Sequence, residues 1–277
     1  MRRIIFNQKG GVGKSSISVN LAALSAASGK KTLLIDLDIQ GNSSHYLGID
    51  INAKNDKTVA DLFDQTVSWF SVSTPIKQFP QPTAYENLDI IPSSPRLAAL
   101  EPELERRYKI YKLREALDEL ESEYERIYID TPPNLNFYSK AGLIAAHNLL
   151  IPFDCDTFSH QALLTLMDNL AELRDDHNRN LALEGVVVNM FNAQAKFPAQ
   201  IIERVRELGL PLLEPFIPQS VKMKESHYHQ KPLVHFAPQH KLAQHFAELY
   251  ARLESAEQQV PSPGMSANNE GAKAAQS

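Results

Sequence analysis

Asn7-Gln8-Lys9-Gly10-Gly11-Val12-Gly13-Lys14-Ser15 is the stretch that decides the fold. Residues 2–6 ahead of it read as a short buried strand, and residues 15–27 behind it carry Ile17, Leu21 and Leu24 at helical spacing. A strand, a loop of three glycines and a helix N-terminus together make a phosphate cradle. The glycines let backbone N–H groups turn inward, and the helix dipole adds positive potential where an anion sits. In such a loop Lys14 reaches the β- and γ-phosphates of a nucleotide, and the Ser15 hydroxyl ligates Mg²⁺. The usual spacing begins with a glycine, but position 8 is Gln, and a second lysine, Lys9, stands at the front of the loop.

Outward from the loop, the composition limits the alternatives. A chain of 277 residues with 43% hydrophobic composition buries a substantial core. No compositional break divides it, so one domain over residues 1–254 is expected, followed by a polar, disordered tail at 255–277. One cysteine, Cys155, excludes a disulfide framework and fits a reducing compartment. No apolar run reaches membrane-spanning length and the N-terminus has no signal-peptide core, so a cytoplasmic protein is expected. A net charge of −5 confines any DNA contact to a local patch.

Residues 31–38 form a hydrophobic strand that ends in Asp36 and Asp38, and residues 126–130 form another that ends in Asp130. In open α/β sheets ligands sit beyond the carboxyl ends of the strands, where these three acids fall. Further strands are expected at 88–91, 147–152, 183–190 and 212–216, and helices at 58–63, 103–121, 158–173, 197–208 and 241–253. The proline-rich stretch 74–83 reads as a surface loop. The alternation implies an α/β fold, a mostly parallel twisted sheet with helices on both faces. The cations of the 103–121 helix, Arg106 to Arg114, read as a solvated face or as a DNA contact. His227, His229, His235, His240 and His245 match no zinc spacing.

Three motifs carry a resemblance. Residues 9–15 match K-G-G-x-x-K-[ST], residues 36–42 match D-x-D-x-Q-G-N, and residues 129–133 match I-D-x-P-P. The chain so resembles the ParA/MinD family of deviant Walker P-loop ATPases. The resemblance implies ATP and Mg²⁺ as cofactors, with the nucleotide on Gly10, Gly11, Val12, Gly13, Lys14, Ser15 and Ser16. It implies a metal shell of Ser15, Asp36 and Asp130, with Asp38 positioning the attacking water. Lys9 would cross to the partner's phosphates in an ATP-bound homodimer. Pro218 would pack by the base, and Asn189 either contacts adenine or caps its strand. Residues 153–156 stand where relatives carry Q-x-E, with Asp156 at the Glu position.

Residues 218–250 resemble the family's C-terminal pattern with Gln219 in place of an arginine. Lys222 and Lys241 fall where relatives place cations for sequence-independent DNA contact, Lys224 adds charge, and the alternative is a plain solvated surface. The family behaviour implied is a weak ATPase, nucleoid-associated when bound to ATP, that positions a replicon or a protein cluster. A ParB-like or other adaptor protein would stimulate it. The basic membrane helix of the MinD branch is not expected, because Pro261, Pro263 and Gly264 interrupt that region. An N-terminal operator-binding domain is not expected either, since the first strand opens within the first three residues. One cysteine rejects an iron–sulfur carrier. An amidoligase or synthetase that phosphorylates a small-molecule carboxylate is the alternative on the same loop.

Overall fold

The computed structural model describes residues 1–53, 57–68, 74–156 and 159–259. In chain order these form β1 (Arg2–Ile5), α1 (Lys14–Ala27), β2 (Thr32–Asp36), α2 (Asn42–Tyr46), α3 (Val59–Asp64), β3 (Gln81–Pro82), β4 (Leu88–Ile91), α4 (Leu97–Arg106), α5 (Lys112–Leu120), β5 (Arg126–Asp130) and α6 (Phe137–Ala145). There follow β6 (Asn148–Phe153), α7 (Ser159–His177), β7 (Ala182–Val188), α8 (Lys196–Glu207), β8 (Leu212–Leu213), α9 (Val221–Tyr228), α10 (Leu233–Phe236) and α11 (Lys241–Gln259). The strands make one sheet in the order β3-β4-β2-β5-β1-β6-β7-β8, in which β3 alone runs antiparallel to its neighbour.

Successive side chains of a strand face opposite sides of the sheet, and here both sides are covered. Ile4, Leu33, Ile35, Ile127 and Ile129 pack under α5, α6 and α7 through Leu113, Leu117, Phe137, Tyr138, Leu163 and Leu166. Ile5, Leu34, Tyr128 and Leu150 face the other way, toward Ile17 and Leu21 of α1 and Leu242, Phe246, Leu249 and Leu253 of α11. Each of these four α11 residues is buried, which contributes about 1.5–3 kcal/mol apiece relative to exposure.

The amino ends of the strands carry charge inside the fold. Arg3 is fully buried. Its guanidinium donates to both Glu184 oxygens at 2.6 Å and to the Tyr128 hydroxyl at 3.0 Å. Glu254 of α11 lies beside the same group and accepts from Arg126 at 2.8 Å and from Lys30. Arg126 also pairs with Glu257 at 2.8 Å. These contacts carry α11 on to Gln259, past the end at 253 that hydrophobic spacing predicts. Of the expected tail, 260–277 lies outside the described residues.

Two expectations are corrected. The stretch 74–83 is not all surface loop: a 3₁₀ turn (Ile76–Gln78) buries Ile76 and Phe79, and Gln81 and Pro82 pair with β4. Proline is tolerated there because the strand is an edge. The helix expected over 103–121 is two helices. Lys109 N–H bonds to Leu104 C=O at 3.0 Å and Tyr108 N–H to Glu105 C=O at 3.0 Å, a Schellman ending. The left-handed position in that motif is Tyr108, at φ 54°, where glycine is usual. The hydrophobic period runs on through the break, so the missing glycine hides it. The predicted helix at 158–173 starts at Ser159 and extends to His177, and Phe158 lies outside the described residues.

Replacing Arg3 by Ala strands Glu184 beside buried Tyr128, and we expect a loss of about 3–5 kcal/mol in urea unfolding. The pair replacement Arg3→Met with Glu184→Leu removes both charges and should recover most of that loss.

Candidate functional site

The order β2-β5-β1 places three chain segments next to each other at the carboxyl edge. Asp130 ends β5 in register with Ile5 on one side and with Asp36 on the other. The phosphate loop leaves β1 there and enters α1 at Lys14. Asn7 fastens the loop by donating to Pro152 C=O at 2.7 Å while its own oxygen accepts from Lys9 N–H at 2.9 Å. Gly13 has φ 93°, and a Cβ there would lie 2.1 Å from Asn189 Nδ2. Only glycine fits both the conformation and the space.

A pocket of about 390 Å³ opens over this edge, lined by Gly10, Gly11, Gly13, Lys14, Ser15, Ser16, Asp38 and Pro133, with Gln40, Asn42, His45, Tyr46 and His227 on the side of α2 and α9. The Lys14 ammonium donates to Lys9 C=O at 2.9 Å. Burial pushes the Lys14 pKa below its ordinary value, and Asp130 and Asp38 pull it back. Asp38 is nearly buried and accepts from Gln40 N–H at 3.0 Å, and burial raises its pKa against the opposing effects of Gln40 and Lys14.

Asp36 and Asp130 are both fully buried. Asp36 accepts from Ser44 Oγ at 2.7 Å and Ser44 N–H at 2.8 Å, and from Asp38 N–H at 3.1 Å. Asp130 accepts from Ser43 Oγ at 2.7 Å and Ser18 Oγ at 3.2 Å, and a bond to Ser15 lowers its pKa. Burial and nearby carboxylates push both above the usual carboxylate range. Asp36 does not line the pocket; with its oxygens taken by Ser44 and the Asp38 backbone, it orients the loop after β2 from one layer below. Asp130 does not line the pocket either, but it bonds to Ser15, which does, so the Ser15 hydroxyl and the Asp130 carboxylate are the oxygen donors there that suit a divalent cation.

The other expected residues are spread around this centre. Lys9 is half-buried and donates to Asp154 at 2.7 and 2.8 Å and to Asp156. Those carboxylates hold its ammonium above the ordinary value despite partial burial. Val12 is buried under the loop. Asn189 directs its amide at the loop, donating to Val12 C=O at 2.9 Å, which makes it a clamp on the cradle. Pro218 forms a bridge with Phe191 at the end of β7 and is not among the residues that line the pocket. Lys224 and Lys241 are exposed, whereas Lys222 pairs with Glu225 at 2.6 Å and stands 5.6 Å from the Phe236 ring centre.

Sequence reasoning passed over Ser43, Ser44 and Ser93. Ser93 N–H donates to Ser44 Oγ at 3.0 Å and its hydroxyl donates to Asp38 C=O at 2.5 Å. The signal available was the Ser-Ser pair directly after Gln40-Gly41-Asn42. His227 was also missed. It shares a 3.0 Å hydrogen bond with Ser16 Oγ, and burial and His45 lower its pKa.

A family profile for an AAA domain matches residues 2–183. The chromosome partitioning protein ParA of Myxococcus xanthus is 33% identical over 232 residues, 83% of this chain and 79% of that protein. The sporulation initiation inhibitor protein Soj of Bacillus subtilis is 33% identical over 247 residues, 88% of this chain and 94% of that protein. Among solved structures, cobyrinic acid a,c-diamide synthase of Mycobacterium smegmatis with bound ATP analog and magnesium superposes with TM-score 0.81 at 24% identity. That match covers 93% of this chain and 95% of the other and shows a shared fold.

With the Asp36 and Asp130 pKa values raised on folding, the folded chain holds protons that the unfolded chain releases near pH 4. The contribution of these two acids to stability is therefore fully present below about pH 4 and is lost as pH rises through the folded values. With metal chelated, the urea midpoint should drop between about pH 5 and pH 8, and Asp36→Asn should flatten that drop.

Proposed function

We infer the function from what the chain is: it belongs to the ParA/MinD family of P-loop ATPases. Within that family we propose an ATP-driven dimer switch that hydrolyses ATP slowly, binds duplex DNA without sequence choice in its ATP state, and positions a cargo with the help of an adaptor protein. The observation that carries this reading is the pair of lysines on one glycine loop, Lys14 buried and lining the pocket with Asp38, and Lys9 at the front of the loop, held by Asp154 and Asp156.

The chemistry follows from the residues. Loop N–H groups and the Lys14 ammonium hold the β- and γ-phosphates, and the low polarity around buried Lys14 strengthens that attraction. Mg²⁺, held by Ser15 and Asp130, would supply charge neutralisation across the phosphates. Asp38 lines the pocket and is tethered by Gln40, which suits it to orient a water in line with the γ-phosphate. In a single chain, Asp154 and Asp156 hold Lys9. Reaching a second protomer's nucleotide requires Lys9 to exchange these carboxylates for phosphates, so dimer closure depends on a triphosphate rich enough in charge to compete.

Exposed Lys224 and Lys241 support a phosphate-backbone contact, which Lys222 would join by exchanging Glu225 for a phosphate. The fold shared with the diamide synthase does not favour carboxylate phosphorylation here, because a shared fold by itself carries no shared chemistry.

Two outcomes test the reading. Asp38→Ala with ATP and Mg²⁺ should elute as a stable dimer by light scattering with turnover near background, while Lys14→Ala should stay monomeric and lose at least about a hundredfold in ATP affinity. A monomeric Asp38→Ala protein at saturating ATP overturns the dimer switch. Reversing Lys222 and Lys241 to Glu should weaken binding to arbitrary duplexes and reduce the log–log salt slope by roughly two, from about 0.9 per phosphate contact.

A further inference from the structure

A series of polar contacts ties α9 to the helix that opens the phosphate site. Ser16, in the first turn of α1, shares its hydroxyl with His227 Nε2 at 3.0 Å. One turn on, Asn20 donates to Ser16 C=O at 2.8 Å and to the Tyr46 hydroxyl at 3.2 Å, and accepts from Leu233 N–H at 2.8 Å. The Tyr46 hydroxyl bonds to Ser226 Oγ at 2.5 Å, and its ring meets His227 edge-on with centroids 4.3 Å apart. His227 is thus fixed from α1 and α2, and its ring forms part of the wall of the same pocket as Lys14 and Ser15.

This arrangement is poised for an exchange of partners. A neutral hydroxyl is a modest partner for an imidazole N–H, whereas an anionic phosphate oxygen makes a bond roughly twice as strong. A nucleotide on the loop brings such oxygens beside Ser16, whose backbone lies in the helix turn that receives them. His227 already lines the pocket in which they would sit. It is part of α9, the helix that carries Lys222, Lys224 and the exposed Val221 and Tyr228, so a pull on its ring acts on that helix.

We propose that His227 is a phosphate-contacting residue of the nucleotide site, and that its transfer from the Ser16 hydroxyl to a nucleotide phosphate draws α9 onto the pocket. This rests on the nucleotide reading of the loop given above and adds a ligand to it from the C-terminal part of the chain. The state of the pocket is thereby felt at a surface that faces solvent.

Amide hydrogen exchange on the full chain tests this, with a non-hydrolysable ATP analogue and Mg²⁺ at saturation. In the natural sequence the analogue should protect residues 8–18 and also slow exchange over 221–236 by roughly tenfold, the scale of one charge-assisted hydrogen bond. In His227→Ala, and in His227→Phe, which keeps a ring against Tyr46, residues 8–18 should still gain protection while 221–236 no longer responds. His227→Gln keeps an N–H in the place of Nε2 and should restore part of the response, which a purely structural role would not predict. An unchanged 221–236 in the natural sequence, or an undiminished response in the Ala and Phe variants, overturns the proposal while residues 8–18 remain protected. No protection at 8–18 in the natural sequence overturns the nucleotide reading and this proposal with it.

Discussion

Two carboxylates, Asp36 and Asp130, end neighbouring strands side by side with no access to solvent. Charged together and unrelieved, they would repel at short range in a medium of low polarity. The carboxyl edge of the sheet is built around that repulsion. Ser43 and Ser44 supply hydroxyls, Ser44 and Asp38 supply N–H groups, and Lys14 stands close enough to feel Asp130. The loop after β2 takes its course from these bonds, which in turn sets Asp38 in the pocket.

The sheet order makes this possible. Because β5 lies between β2 and β1, three motifs far apart in the chain end in one place. That much was legible in the sequence, since each motif joins an apolar strand to residues of distinctive type. The ends of the helices were less legible. Gly29 marks the end of α1 with φ 89°, as a glycine cap should, while Tyr108 does the same work at the end of α4 without the signature residue. The buried turn around Ile76 and Phe79 was hidden by its prolines, which signal a loop but do not tell which apolar side chains the loop turns inward.

The site was legible where chemistry is local and obscure where it depends on distant contacts. Lys14, Ser15, Asp38 and Asp130 announce themselves by motif. The Asn189 clamp on Val12, the pairing of Lys9 with Asp154 and Asp156, and the contact of His227 with Ser16 each join residues more than 140 positions apart. No spacing rule on a single sequence reaches so far. Asn189 and Asp36 also show that a residue of the expected type at the expected place can serve the frame of a site, by holding a loop, as well as its contents.

The ion pairs of Glu254 fix where the last helix ends. Arg3 and Arg126 stand at the amino ends of β1 and β5 and Lys30 just ahead of β2, so α11 finishes at the edge of the sheet opposite the phosphate loop. A molecule anchored to a solid support through Ser255→Cys, at an exposed position, would therefore present its pocket outward. Half-buried Cys155, with its thiol pKa pushed up to about 11, would compete poorly for the same support.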